Sequence, residues 1–207
     1  MINALGKFAL FLLAICFLSA APVFADSTTT FTFTSTPGNI GTTDTFTAGS
    51  LSLIATGYSA SNVTVGMFAK NDATQMGLGL VNDIFNQNEI SGASFIQLNL
   101  SNILAAGASS IAISMDSVTG PDRYAIWGSK TAGEMGTLLA TDLTAASFTL
   151  PDLGMFQYIS ISAPAGNVLL HDVDVTTPTP EPSSASLLLL GLVALVSAGT
   201  LAKKFIA

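Results

Sequence analysis

Ser110-Ile111-Ala112-Ile113-Ser114-Met115-Asp116 sets an apolar side chain at every second position and a small or polar one between. A period of two marks a strand with one buried face, because successive strand side chains point to opposite sides. The same pattern recurs outward in both directions: Phe31 and Phe33 among threonines, Val63, Val65 and Met67, Leu98 and Leu100, Ile159 and Ile161, Val173 and Val175. Ser50 to Thr56, Met76 to Val81, Tyr124 to Gly128, Ala146 to Leu150 and Val168 to His171 are further strand candidates. Turn signals separate them at Pro37-Gly38, Asn71-Asp72, Gly120-Pro121-Asp122 and Pro164-Ala165-Gly166-Asn167. Leu100 to Ala108 reads as a single helical turn. Roughly ten short strands with no long helical period predict an all-β, antiparallel β-sandwich, jelly-roll-like. No internal repeat is visible, which argues against a propeller or solenoid.

The chain has 207 residues, of which 49% are hydrophobic and only 9% charged, so it has ample material for a core. Thirteen acidic side chains against six basic ones give a net charge of −7. That sign excludes the basic face a nucleic-acid partner would need. Only Lys70, Arg123 and Lys130 oppose the acids between Asp26 and Glu181.

Two apolar blocks at the ends carry addresses rather than fold. Residues 1–25 open with Lys7, run through Phe8 to Leu18, and close on Val23-Phe24-Ala25 before Asp26. A short basic region, an apolar core and small residues ahead of the break make a secretory signal peptide, with cleavage expected between Ala25 and Asp26. The apolar run is shorter than the ~20 residues that cross a bilayer. Cys16 is the sole cysteine, so the exported chain has no disulfide, no thiolate nucleophile and no cysteine-ligated zinc. Residues 26–177 must therefore be held by their own core.

Ala185 to Ala202 contains no charge. As a helix it would be about 27 Å long at 1.5 Å per residue, close to the ~30 Å hydrocarbon core, so a membrane span over 185–202 is expected. Lys203 and Lys204 follow at once as a membrane stop, and positive flanks stay cytoplasmic, which places residues 203–207 inside and the β-domain outside. Ahead of the span, residues 178–184 form a proline-rich linker, where three alternating prolines oppose helix and central strand and favour an extended spacer.

Pro180-Glu181-Pro182, then an uncharged span, then a basic pair close to the C-terminus resembles the PEP-CTERM sorting signal of bacterial surface and extracellular-matrix proteins. The resemblance covers about the last 28 residues. It implies handling by an exosortase, a membrane enzyme acting at the Pro-Glu-Pro region, and an association with exopolysaccharide export. The tail here ends on two lysines and Phe205-Ile206-Ala207, where many relatives of this type carry arginines. Gly77-Leu78-Gly79-Leu80, Asn88-Glu89-Ile90 and Phe95-Ile96-Gln97-Leu98 loosely resemble a segment of other PEP-tailed β-sandwich proteins, with Ser91 where an acid is expected. No functional residue is carried over from it.

Within the domain the chemistry is sparse. Asn82, Asp83, Asn86, Asn88 and Glu89 gather oxygen atoms of the kind calcium takes, with Asp83 and Glu89 the charged candidates, but the EF-hand order is absent and a solvated loop is the expectation. No cofactor is expected. His171 is the only histidine and adjoins Asp172, yet strand neighbours face opposite sides and no Gly-x-Ser-x-Gly elbow exists. Trp127 lies in Tyr124-Ala125-Ile126-Trp127-Gly128, with Ile126 on the other face. Large aromatics usually fill cores, so packing is the first expectation and an exposed sugar-stacking platform the second. The leading expectation is a non-catalytic, exported surface or matrix protein whose function lies in adhesion, contact with exopolysaccharide or structure. The alternative is a secreted polysaccharide hydrolase using two carboxylates.

Overall fold

The computed structural model describes residues 24–33, 37–81, 83–150, 153–180 and 191. Strand makes up 62% and helix 4%, so the all-β expectation holds. In chain order the strands are β1 (Phe24–Thr32), β2 (Gly38–Gly41), β3 (Thr43–Ala48), β4 (Leu51–Tyr58), β5 (Met67–Asn71), β6 (Met76–Leu80) and β7 (Ile90–Asn99). A short helix α1 (Ser101–Ala105) follows, then β8 (Ser110–Asp116), β9 (Arg123–Ser129), β10 (Thr137–Leu143), β11 (Ser147–Leu150) and β12 (Tyr158–Pro180). Ser27–Thr177 forms one compact unit. The signal-peptide core, Glu181, Pro182, the apolar segment apart from Gly191, and Lys203 and Lys204 lie outside the described residues. Among the described residues no helix is long and apolar enough to cross a membrane.

The strands make a twelve-stranded, nearly closed antiparallel sheet whose two arms share one strand. One arm runs β3-β4-β7-β12-β9-β10 and the other β2-β5-β6-β12-β8-β11, with β1 also on β12. The first half of β12 pairs Ile159 with Leu98 and Gly128, and the second half pairs Val173 with Ile113. The sequence predicts three short strands here, but the structure makes one of 23 residues. Its inward side chains show how. Ile159, Ile161 and Ala163 face the core at odd positions, Val168 and Leu170 at even ones, then Val173 and Val175 at odd ones again.

Each slip of the alternation coincides with a register shift. The first lies between Ser162 and Asn167, and the second between Leu170 and Asp172. Bulges add a residue and bend a strand, which is how one strand can turn a corner and pair with both arms. The predicted turn Pro164-Ala165-Gly166-Asn167 is thus a corner inside a strand. Gly166 has φ +70°, and a Cβ there would collide with the Asp122 carboxylate that holds the adjoining turn through the Thr119 N–H and hydroxyl.

The strand also runs on through Pro178 and Pro180, where the sequence predicts a spacer. Prolines two apart remove N–H groups from one side of a strand only, so the other side can still pair. Inside the sheet, Phe31, Phe33, Leu53, Met67, Ile96, Leu98, Ile113 and Ile126 are fully buried with the β12 residues. Ile103 of α1 joins them, and the Asn102 side chain accepts the Ser52 N–H at 2.9 Å. The helical turn expected from Leu100 onward is present.

Candidate functional site

Trp127 marks the outer face of the first arm. Alternation along β9 sends Tyr124 and Ile126 inward, both fully buried, and leaves Trp127 half-buried on the opposite side. The expectation of a core tryptophan is therefore corrected. The inward place next to Ile126 falls to Gly128, and the space above that glycine is filled by the Phe156 ring, 2.6 Å from where a Cβ would stand. Trp127 instead donates its indole N–H to Ser162 Oγ at 3.0 Å.

Register extends this face across the arm. Trp127 stands opposite Leu138 on β10 and Ser160 on β12. Ser160 stands opposite Gln97, Gln97 opposite Thr56, and Thr56 opposite Thr43, whose hydroxyls lie 3.1 Å apart. A stripe of polar side chains thus runs from Trp127 across to β3. The next row sets Ser162 beside Phe95, which stacks on Tyr58 with centroids 5.0 Å apart. Burial, then the neighbouring Tyr158, pushes the Tyr58 phenol above its ordinary range.

The centre of the stripe is roofed by the loop between β9 and β10. Gln97 Nε2 donates to Glu134 O at 2.9 Å and to Ser160 Oγ at 3.1 Å, while Gly133 N–H donates to Gln97 Oε1 at 2.8 Å. What remains open beside Trp127 is Leu138, 44% exposed. The sequence reading passed over Gln97, although one amide inside Phe95-Ile96-Gln97-Leu98 was a visible signal of an outward polar position.

The two calcium candidates have protein partners. Glu89 is fully buried, with Oε1 2.7 Å from Lys70 Nζ and Oε2 accepting the Ser117 hydroxyl at 3.2 Å. Asp83 accepts the N–H groups of Gln87 and Glu89 at 2.8 and 2.9 Å. The loop they belong to lies against β6, where a Cβ on Gly79 would land on the Asn88 carbonyl oxygen. These carboxylates tie the two ends of the loop down, while Ile84, Phe85, Asn86 and Gln87 between them stay exposed, as the expected solvated loop has them.

His171 and Asp172 do share a face, contrary to the alternation argument. The second bulge of β12 makes His171 the extra residue, so both side chains point outward and His171 Nδ1 sits 2.7 Å from Asp172 Oδ2. Ser114 is the strand partner of Asp172, and Thr30 Oγ1 donates to Asp174 Oδ1 at 2.5 Å. Among the described residues no three metal-ligating side chains converge. Ala25 and Asp26 lie in β1 and Pro180 ends β12. No family model matches the chain, and no curated protein matches it.

Proposed function

We propose that this is an exported bacterial cell-surface or extracellular-matrix protein. In this reading residues 1–25 are removed as a signal peptide, and the PEP-CTERM-like tail presents Pro180-Glu181-Pro182 to an exosortase while the 185–202 segment holds the chain in the membrane. The two arms act as a jelly-roll-like sandwich that contacts exopolysaccharide and does not cleave it. One observation supports the contact: Trp127 lies outside the core, beside exposed Leu138 and at the end of a hydroxyl and amide stripe. Sugar rings offer apolar C–H faces to stack on an aromatic and hydroxyls for such a stripe. The hydrolase alternative draws no support from the described clefts, since a single carboxylate, Asp116, lines one and none lines the other.

Retention of the protein on the producing organism's polysaccharide, measured by co-sedimentation, tests the reading. Trp127→Ala should weaken retention roughly fivefold or more, as the loss of about 1 kcal/mol of stacking does, and the variant should remain folded, with an unfolding midpoint lowered only by the lost partial burial and the bond to Ser162. Retention equal to wild type would remove Trp127 from the reading. Release of reducing ends by the wild-type protein, lost when two acids are neutralised, would favour the hydrolase.

A further inference from the structure

The second arm carries a cleft of about 320 Å³, at the lower end of ligand-pocket volumes. Three segments wall it. Thr74 and Gln75 come from the β5–β6 turn, Asp116, Ser117 and Thr119 from the end of β8, and Thr144 from the β10–β11 turn. We propose that this cleft binds a neutral saccharide, a chain end or a single ring rather than a long chain.

The floor is held rigid by side-chain bonds that also fasten the β6–β7 loop. Ser117 has φ +62°, a left-handed conformation that side-chain-bearing residues avoid and that persists only where neighbours over-determine it. Its hydroxyl accepts from Gln75 Nε2 at 2.8 Å and donates to Glu89, whose fully buried carboxylate is itself fixed by Lys70. Asp116 Oδ1 accepts the Ser117 N–H at 2.7 Å and Oδ2 the Met76 N–H at 2.7 Å. Each oxygen therefore keeps a lone pair for a ligand hydroxyl. The walls are fixed as well. Asp72 Oδ1 accepts three bonds from Thr74 and Gln75, and the Tyr124 hydroxyl donates to Ala145 O at 2.9 Å under the opposite turn. Side chains locked by a supporting shell are what a binding site needs.

The lining selects the ligand class. The Thr74, Ser117 and Thr119 hydroxyls give their protons to Asp72, Glu89 and Asp122 and so offer a ligand lone pairs only, the Thr144 hydroxyl and the Gln75 amide supply donors, Asp116 supplies an acceptor, and Met115, Val118 and Ala146 supply apolar contact for the C–H faces of a sugar. No lysine, arginine or histidine lines the cleft, and Asp116 repels anions, so a uronic acid or phosphate is excluded. The inference rests on the polysaccharide reading and adds a second contact, on a different arm from Trp127.

Oligosaccharides from partial hydrolysis of the producing organism's exopolysaccharide, split into neutral and acidic fractions, are the probes. The protein recovered from the cell surface should show saturable amide shifts at Ser117 and Thr144 with the neutral fraction alone. Asp116→Asn should weaken that binding about tenfold. Thr144→Val, which leaves every bond of the floor in place, should weaken it a fewfold with an unchanged unfolding midpoint, and Trp127→Ala should leave it as in wild type. No saturable shift at these amides, an equal response to the acidic fraction, or wild-type binding by Thr144→Val would overturn the proposal. If polysaccharide retention is lost in Trp127→Ala while the cleft amides stay silent, the cleft falls and the surface reading stands. The reverse pattern removes the Trp127 face and keeps the cleft.

Discussion

Two loops are tied to the outside of this sheet, and they are fastened by opposite chemistry. The loop between β9 and β10 is pinned by a neutral amide, Gln97, through Gly133, Glu134 and Ser160. The loop between β6 and β7 is pinned by a charge pair, Lys70 with Glu89, assisted by Ser117 and by Asp83. Both fasteners are almost wholly buried, Gln97 at 3% and Glu89 at 0%. A buried amide and a buried carboxylate cost different amounts to orphan, so the loops should fail differently. The outer face is accordingly not simply solvent-exposed. Sheet polarity is spent on holding loops, and what those loops leave open is the Trp127 edge and the Ser117 cleft.

The largest expected effect is at the charged fastener. Glu89→Ala leaves Lys70 beside a buried void with no counter-charge, and breaking such a pair costs about 3–5 kcal/mol. Urea unfolding should show this, and limited proteolysis should open the chain between residues 83 and 89. A loss under about 1 kcal/mol would mean that the ion pair does not fasten the loop.

At the neutral fastener the cost is smaller. Gln97→Ala removes the partner of the partly buried Gly133 N–H and of the Glu134 carbonyl, and each such bond is worth about 0.5–1.5 kcal/mol where water can replace it. Cleavage should then appear between residues 130 and 135 and not between 83 and 89. If both variants open both loops, the two regions are one cooperative unit and the comparison collapses.

The smallest effect concerns acid. Hydrogen bonds from the Thr74 N–H and hydroxyl, with a further one from Gln75, hold the exposed Asp72 carboxyl below its ordinary value of 3.8. A group with a depressed folded pKa stabilises above its unfolded value, and that contribution is lost as pH falls through the folded one. Asp72→Asn should therefore be less stable than wild type near neutral pH and converge with it once pH falls below the depressed folded-state value. Parallel acid-unfolding curves for the two proteins would contradict this.

Strands were legible in the sequence wherever one face is core, because Ile111, Ile113 and Met115 or Ile159 and Ile161 leave no other period. The continuity of β12 was not legible. A bulge reads locally as a turn, and only pairing with both β7 and β8 reveals that Ala163 to Asn167 is a corner. The same bulging overturned the argument about His171 and Asp172, which assumed unbroken alternation. The face of Trp127 was legible from Ile126, whereas the general preference of tryptophan for cores misled. The partner of Glu89 was not legible, because oxygen-rich composition looks the same in a carboxylate that stays in water and in one that folds onto its own lysine. Lys70 is nineteen positions away, and only the β5–β6 hairpin brings the two together.

Everything proposed about the life of this chain depends on its ends, and intact-mass measurement of the protein recovered from the surface of exosortase-competent cells tests them directly. The account predicts a chain that begins at Asp26 and ends near Pro180-Glu181-Pro182, without Leu187 to Leu201. A recovered chain that still carries residues 1–25, or still carries Leu187 to Leu201, would contradict it.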